Sequence, residues 1–280
     1  MTEAELSQRI ENVLVARNLR HMQTAQAALE PGYFLRAASY LRSLRGNIII
    51  GTGFPVNDTF ETDGPVGAIA LYDALQKLGG KPWLACAAPL SNALCNDYRV
   101  LELTSKDVQA AEAEAQLRLK ELTPKAILSI EHPGLASDGR YYNMRGEDIT
   151  ARCGFFDPFF IHANCPTIAI GDGGNEIGMG NIRSAIAGLD IDASVTDCDE
   201  LLVADVSNWG AYGLIAFLDL WSDKALLEAL SPSRTLQYLS EKGSVDGVSR
   251  ENTLTEDGLD AREGIAVIDE LIELVRLAKK

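Results

Sequence analysis

The sequence predicts an α/β fold in which a mostly parallel sheet is sandwiched between helical layers, a three-layer α/β/α arrangement. Three observations predict it. Short apolar runs alternate with helix-patterned stretches along the 280 residues. The runs are apolar throughout rather than alternating, so both faces of each strand are covered, as in a parallel sheet. Four of the five runs empty into polar or glycine-rich loops, at 51–64, 131–147, 171–181 and 205–210. In such sheets, binding sites lie beyond the C-terminal ends of the strands. No Pro- or Ser-rich linker and no internal repeat divides the chain. Residues 1–280 therefore read as a single α/β domain, with 1–45 an N-terminal helical segment packed on it.

Residues 5–18 and 24–45 read as two helices, broken at Glu30-Pro31-Gly32. They would cover the core or make the contact of a homo-oligomer. Residues 47–50 form a short strand running into Gly51-Thr52-Gly53-Phe54. Asp63-Gly64-Pro65 opens a helix to about Leu78, with proline in the first turn, where its missing N–H matters least. Gly79-Gly80 stops it. Strands follow at 82–87, 126–130, 166–170 and 201–206, with a helix rich in Ala and Glu at about 105–120. Asn208-Trp209-Gly210 leads into a helix to about 222. Residues 261–278 form an amphipathic helix, with Ile265, Ile268, Leu271, Ile272, Val275 and Leu277 close to helical spacing.

Composition narrows the function classes. Lys+Arg 25 against Asp+Glu 40 gives a net charge of −15, which argues against a broad nucleic-acid or anionic-membrane surface. A small anionic substrate remains open, because a few arginines and helix N-termini can make a locally positive pocket. Cys86, Cys95, Cys153, Cys165 and Cys198 are odd in number and form no CxxC pair, which suits reduced thiols and a cytoplasmic location. The opening residues MTEAELSQRI do not read as a secretory leader, and no apolar run reaches membrane-spanning length.

The chemistry-bearing residues sit in the strand-end loops. Gly51, Thr52, Gly53 and Phe54, facing Thr62, Asp63 and Gly64, lack the third glycine of a dinucleotide fingerprint and the GK[ST] of a P-loop. They read as an anion or polar-substrate site built from backbone N–H groups, or as a simple helix cap by Thr62 or Asp63. The second loop holds Glu131 at a strand end and His132, a residue type able to act as acid or base. It also holds Arg140 and Arg145, whose planar donors match a carboxylate, Tyr141 and Tyr142 to orient a small polar molecule or shut out water, and Asn143 as a further substrate contact. Asp138-Gly139 reads equally as an ordinary turn. The third loop, 171–181, has five glycines in eleven positions, leaving a nearly bare backbone around Asp172, Asn175, Glu176 and Asn181. Asp172 and Glu176 offer hard oxygen donors for Mg²⁺ or Mn²⁺, or one of them a general base. Gly173, Gly174 and Asn175 would contact substrate. Asp205 and Asn208 supply a fourth polar strand end, where Ser207 or Asn208 reads equally as a simple helix cap.

At these loops the chain resembles the D-glutamate cyclase family. The matching pieces are GTGF (51–54), ETDGPVGAIAL (61–71), SIEHPGLASDGRYYNMRGEDI (129–149) and GDGGNEIGMGNI (171–182), and the resemblance runs from about residue 40 to the C-terminus. His132 departs from the pattern, in which an arginine often follows the glutamate. The resemblance implies a lyase that dehydrates D-glutamate to 5-oxo-D-proline. That chemistry needs a base for the amine, neutralisation of the γ-carboxylate and its oxyanion, and an acid for the departing hydroxide. It also needs a held, folded-back substrate. Glu131 or Glu176 would be the base, with the other as acid or metal ligand. Arg140 and Arg145 would clamp carboxylates, and the backbones of 51–54 and 171–174 would supply anion donors. Two rivals remain. Residues 171–176 faintly resemble the GDGxDE loop of asparagine-synthetase-type nucleotide enzymes, although Gly51-Thr52-Gly53-Phe54 is a poor pyrophosphate loop. A non-catalytic sensor would bind D-glutamate or 5-oxoproline and leave it unchanged.

Overall fold

Runs of branched and small apolar residues form the centre of the molecule. The computed structural model describes residues 1–222 and 224–280. Six strands make the main sheet: β1 (Gly46–Thr52), β2 (Gly80–Cys86), β3 (Val100–Glu102), β4 (Ala126–Ile130), β5 (Thr167–Gly171) and β6 (Glu200–Val203). Their spatial order is β3-β2-β1-β4-β5-β6, and every neighbouring pair is parallel. The three-layer α/β/α reading is borne out, and the sheet is wholly parallel.

The chain starts in the middle of the sheet, winds to one edge, then crosses back and winds to the other. The reversal falls between β1 and β4, and in doubly wound sheets that switch point opens a crevice at the strands' C-terminal ends. The register makes those ends level: Thr52 pairs with Ile130, and Ile130 with Ile170. Residues that follow the strands, among them Gly53, Glu131 and Asp172, therefore share one rim.

The helices are α1 (Glu3–Leu14), α2 (Met22–Ala27), α3 (Tyr33–Leu41), α4 (Pro65–Lys77), α5 (Leu90–Leu94), α6 (Val108–Leu122), α7 (Asp157–Ile161), α8 (Arg183–Ile186), α9 (Ser207–Leu220), α10 (Pro232–Glu241) and α11 (Ala261–Ala278). Neighbouring residues of a strand point to opposite faces, and this separates the two layers. Gly51 faces Phe156, just before α7, whereas Ile170, level with Thr52, faces Gly210 of α9. Helix α6 packs with α7; α4 packs with α9, and α1, α3 and α11 pack around α9. Trp209, Tyr212 and Phe217 of α9 are fully buried. Burying a side chain such as Phe217 stabilises the fold by about 2 kcal/mol. All five cysteines are free. Among the described residues, no helix is long and apolar enough to cross a membrane.

The structure corrects several boundaries. The N-terminal segment forms three helices rather than two, because the turn around Pro31-Gly32 divides the expected 24–45 helix into α2 and α3; Asn18, Arg20 and His21 take left-handed backbone conformations in the turn between α1 and α2. The strand expected to run to residue 206 ends at Val203, although Ala204 and Val206 remain buried. Edge strand β3 and helix α10 were not anticipated. The helix expected at 261–278 forms over that span, and the 30–32 break lies between α2 and α3.

Candidate active site

Helices α4 and α9 begin side by side on the rim and cap each other. Asn208 Oδ1 accepts from Gly64 N (2.9 Å) and Gly67 N (2.7 Å) of the α4 lead-in. Asp63 accepts in turn from Asn208 N (2.8 Å) and Ser207 N (3.0 Å) at the start of α9. The expected cap of α4 by Thr62 or Asp63 is therefore exchanged across the helix pair. The Thr62 hydroxyl donates instead to the Thr255 carbonyl, at 2.8 Å. Gly64 (φ +90°) must be glycine, since a Cβ there would lie 2.8 Å from Glu131 Cβ and from Thr52 Oγ1.

Carboxylates collect around this junction. Glu131, at φ +46° just past β4, accepts from Ser207 Oγ at 2.7 Å. Asp172, just past β5, accepts from Ser207 N (3.1 Å) and pairs with Arg20 (2.7 Å). Asp63, Glu131 and Asp172 each place an oxygen within 4.8 Å of the other two, and all three are buried. Glu176 Oε2 accepts from Gly174 N at 2.7 Å, while its Oε1 has no partner among the described residues. Glu256 accepts from Asn208 Nδ2 (2.7 Å) and Trp209 Nε1 (2.9 Å). Arg20 also pairs with Asp257, and its Nε donates to the Asp172 carbonyl at 3.0 Å.

Burial dominates the electrostatics. It pushes the carboxyls of Glu61, Glu131 and Asp172 well above their ordinary range, reinforced for Glu131 by Glu176 and opposed for Asp172 by Arg20. Asp63 is pushed up to about 6 by burial and Asp257. Glu256 is pushed up from 4.5 to about 7, by burial first, against the bonds from Trp209 and Asn208. An unfolded chain ionises Glu256 near 4.5 and the folded one near 7, so the folded state keeps its proton in between. Stability present below 4.5 is then lost as pH rises through 7, by about 3 kcal/mol across the window. The melting temperature should fall between about pH 4.5 and 7 and level off above, and Glu256→Gln should flatten part of that fall. An unchanged slope in a calorimetric pH series would remove Glu256 as a contributor.

A pocket of about 150 Å³ opens onto these groups. Its interior wall carries Glu61, Glu131, Asp172 and Asp257; Arg145, Arg152 and Arg250 stand among the other lining residues. Phe54 and Asn143 line it as well. The Arg145 guanidinium donates to the Val248 carbonyl at 3.0 Å, and Arg250 pairs with Glu147 at 2.5 Å, so two loops meet beside the pocket.

The structure separates the other expected residues from this wall. Arg140 is 60% exposed and pairs with Asp148 at 3.3 Å. The Tyr142 hydroxyl donates to Asp138 (2.7 Å), and its carbonyl accepts from Asn175 Nδ2 (2.8 Å). Gly51 is held in β1, and Gly53 packs against Leu90. Gly173 leaves room for Glu176 Oε1, which a Cβ would approach to 2.8 Å. Asn181 bonds Cys198, and Asp205 accepts from Arg17 N and Leu19 N, docking the N-terminal segment. The Tyr141 hydroxyl donates to Asp157 at 2.6 Å. His132 is buried against Phe156, and burial lowers its pKa.

Sequence reasoning missed Arg20, Arg152, Gly247, Arg250, Glu256 and Asp257, and it did not single out Glu61. A signal existed for two of them: Thr255-Glu256-Asp257-Gly258 is an acidic turn much like Glu61-Thr62-Asp63-Gly64. Gly247 is required by Glu61, whose Oε2 a Cβ at that position would overlap.

The family model described as "D-glutamate cyclase-like, C-terminal" matches residues 10–272. The human mitochondrial D-glutamate cyclase is 32% identical over 232 residues, covering 71% of this chain and 38% of the relative. The chain thus spans well under half the length of that relative.

Proposed function

This chain belongs to the D-glutamate cyclase-like family, and on that premise we propose that it is a lyase converting D-glutamate to 5-oxo-D-proline and water. The observation that carries the reading is the pocket at the switch point, where buried carboxyls and arginines line one small cavity. D-Glutamate carries one ammonium and two carboxylates. The carboxyl wall matches the ammonium, and the guanidinium of Arg145, with Arg152 and Arg250, matches a substrate carboxylate.

Ring closure forms the C–N bond and breaks one C–O bond of the γ-carboxylate. The ammonium gives up two protons, and the departing oxygen gains two as water, so no net proton is consumed. Glu131 or Glu176 takes the first proton from the amine. Raised carboxyls on the wall, such as Glu61, keep a proton near the γ-carboxylate, which must be neutralised before an amine can attack it. A small cavity also favours the folded-back conformer.

Purified protein incubated separately with D-glutamate, L-glutamate and each 5-oxoproline should interconvert the D pair, as followed by chiral chromatography. Turnover of none of the four would defeat the cyclase reading and favour a sensor that binds the same ligands unchanged.

A further inference from the structure

Carboxyl groups on and behind the pocket wall outnumber the cations bonded to them. Glu61, Asp63, Glu131, Asp172, Glu176 and Asp257 all lie within electrostatic reach of Arg20, and among the described residues Arg20 is the cation bonded to members of this group. Buried carboxylates persist only when paired, protonated or bound to metal. Asp63, Glu131 and Asp172 come from three successive rim positions, and their nearest oxygens lie within 4.8 Å of one another. Around an octahedral ion with metal–oxygen distances of about 2.1 Å, neighbouring ligand oxygens lie about 3 Å apart and opposite ones about 4.2 Å. Shifts of roughly an ångström or less would bring the trio onto one ion.

The trio also keeps lone pairs free. Among the described residues, no donor reaches Glu131 Oε1 or Asp172 Oδ1, and Asp63 Oδ2 accepts only from Ser207 N. Arg20 holds the other oxygen of Asp172, so it shares that carboxylate rather than blocking it.

A second observation points to the same place. Thr52 is 1% exposed, and among the described residues its Oγ1 has no hydrogen-bond partner. It stands at the end of β1, level with Ile130, and meets the bare α-carbon of Gly64 beside Glu131 Cβ. Buried hydroxyls are paired as a rule. This buried orphan hydroxyl, across Gly64 from Glu131, marks room for a ligand at the edge of the trio.

We propose that Asp63, Glu131 and Asp172 bind one Mg²⁺ or Mn²⁺, with the Thr52 hydroxyl beside the ion and its remaining positions open to water and the substrate γ-carboxylate. An all-oxygen set without thiol or imidazole selects these hard ions over zinc. What the ion does rests on the cyclase reading: it supplies the positive charge that the γ-carboxylate needs to accept the amine. Whether it binds does not rest on that reading.

The test is an Mn²⁺ titration of the EDTA-stripped full chain, read by electron paramagnetic resonance of free Mn²⁺. One ion per chain is expected, with Glu131→Gln and Asp172→Asn each weakening binding at least about tenfold while circular dichroism stays native. No bound Mn²⁺, or equal binding by wild type and both variants, would overturn the site. Binding that both variants lose, in a protein that turns over no glutamate, would uphold the site and defeat the cyclase reading alone. Undiminished D-glutamate turnover in EDTA would overturn the ion's part in the reaction.

Discussion

Glu131→Gln is expected to abolish most turnover while raising the melting temperature of the metal-free protein. The carboxyl is 6% exposed, and burial together with Glu176, Asp63 and Glu61 opposes its charge. Glutamine keeps the shape and can still accept the Ser207 hydroxyl, which now reaches Oε2 at 2.7 Å. Glutamine is uncharged at every pH, so the variant escapes the cost of holding this carboxyl in a buried, acidic setting. Loss of an acid–base group or metal ligand at the reacting centre should lower kcat by roughly 10²- to 10⁴-fold. Stability in EDTA should rise by about 1 kcal/mol, or a few degrees. Steady-state assays and calorimetry on one preparation check both halves. Full activity would remove Glu131 from the chemistry, and a lower melting temperature would contradict the electrostatic account of this wall.

Arg20→Met should act in the opposite direction on stability. Arg20 bonds the Asp172 carboxylate and carbonyl, the Asp205 carbonyl and the Asp257 carboxylate, so one side chain ties loops after β5 and β6 to the hairpin at 255–260. Its side chain is 23% exposed and Asp172 only 4%, so little water is available to replace it. Removing one partner of a buried pair leaves the other charge uncompensated, at a cost of about 3–5 kcal/mol. Denaturant unfolding should show that loss, and adding Asp172→Asn should recover part of it, because the uncompensated charge is then gone. Equal stability of wild type and Arg20→Met would mean that water or protons already neutralise the cluster.

The two variants also show what the sequence could and could not reveal. Glu131 and Asp172 were legible because each directly follows an apolar strand, and parallel topology alone puts such residues on one rim. Asp63 was visible at the start of a helix, but the partner that it caps lies 144 and 145 residues away on α9. Arg20 was not legible. It lies 152 residues from Asp172 and 237 from Asp257, and nothing local distinguishes it from Arg17. Its entry into the site depends on left-handed residues in the 18–21 turn and on Asp205 gripping the backbone of Arg17 and Leu19. Arg140 carried a plausible local signal, yet Asp138 and Asp148 hold it on the surface. Strand β3 escaped notice for a simpler reason: three edge residues with one buried side chain make no periodic pattern.

The central claim is that the pocket beyond β1, β4 and β5 is where D-glutamate closes. The most direct measurement is a crystal structure of the full chain soaked with 5-oxo-D-proline. The account predicts the lactam between Glu131 and Arg145, with its carboxylate on the guanidinium and its ring N–H donating toward Glu131. Product found only in the wider groove of about 370 Å³ between α4 and α10, or none at saturating concentration, would contradict it.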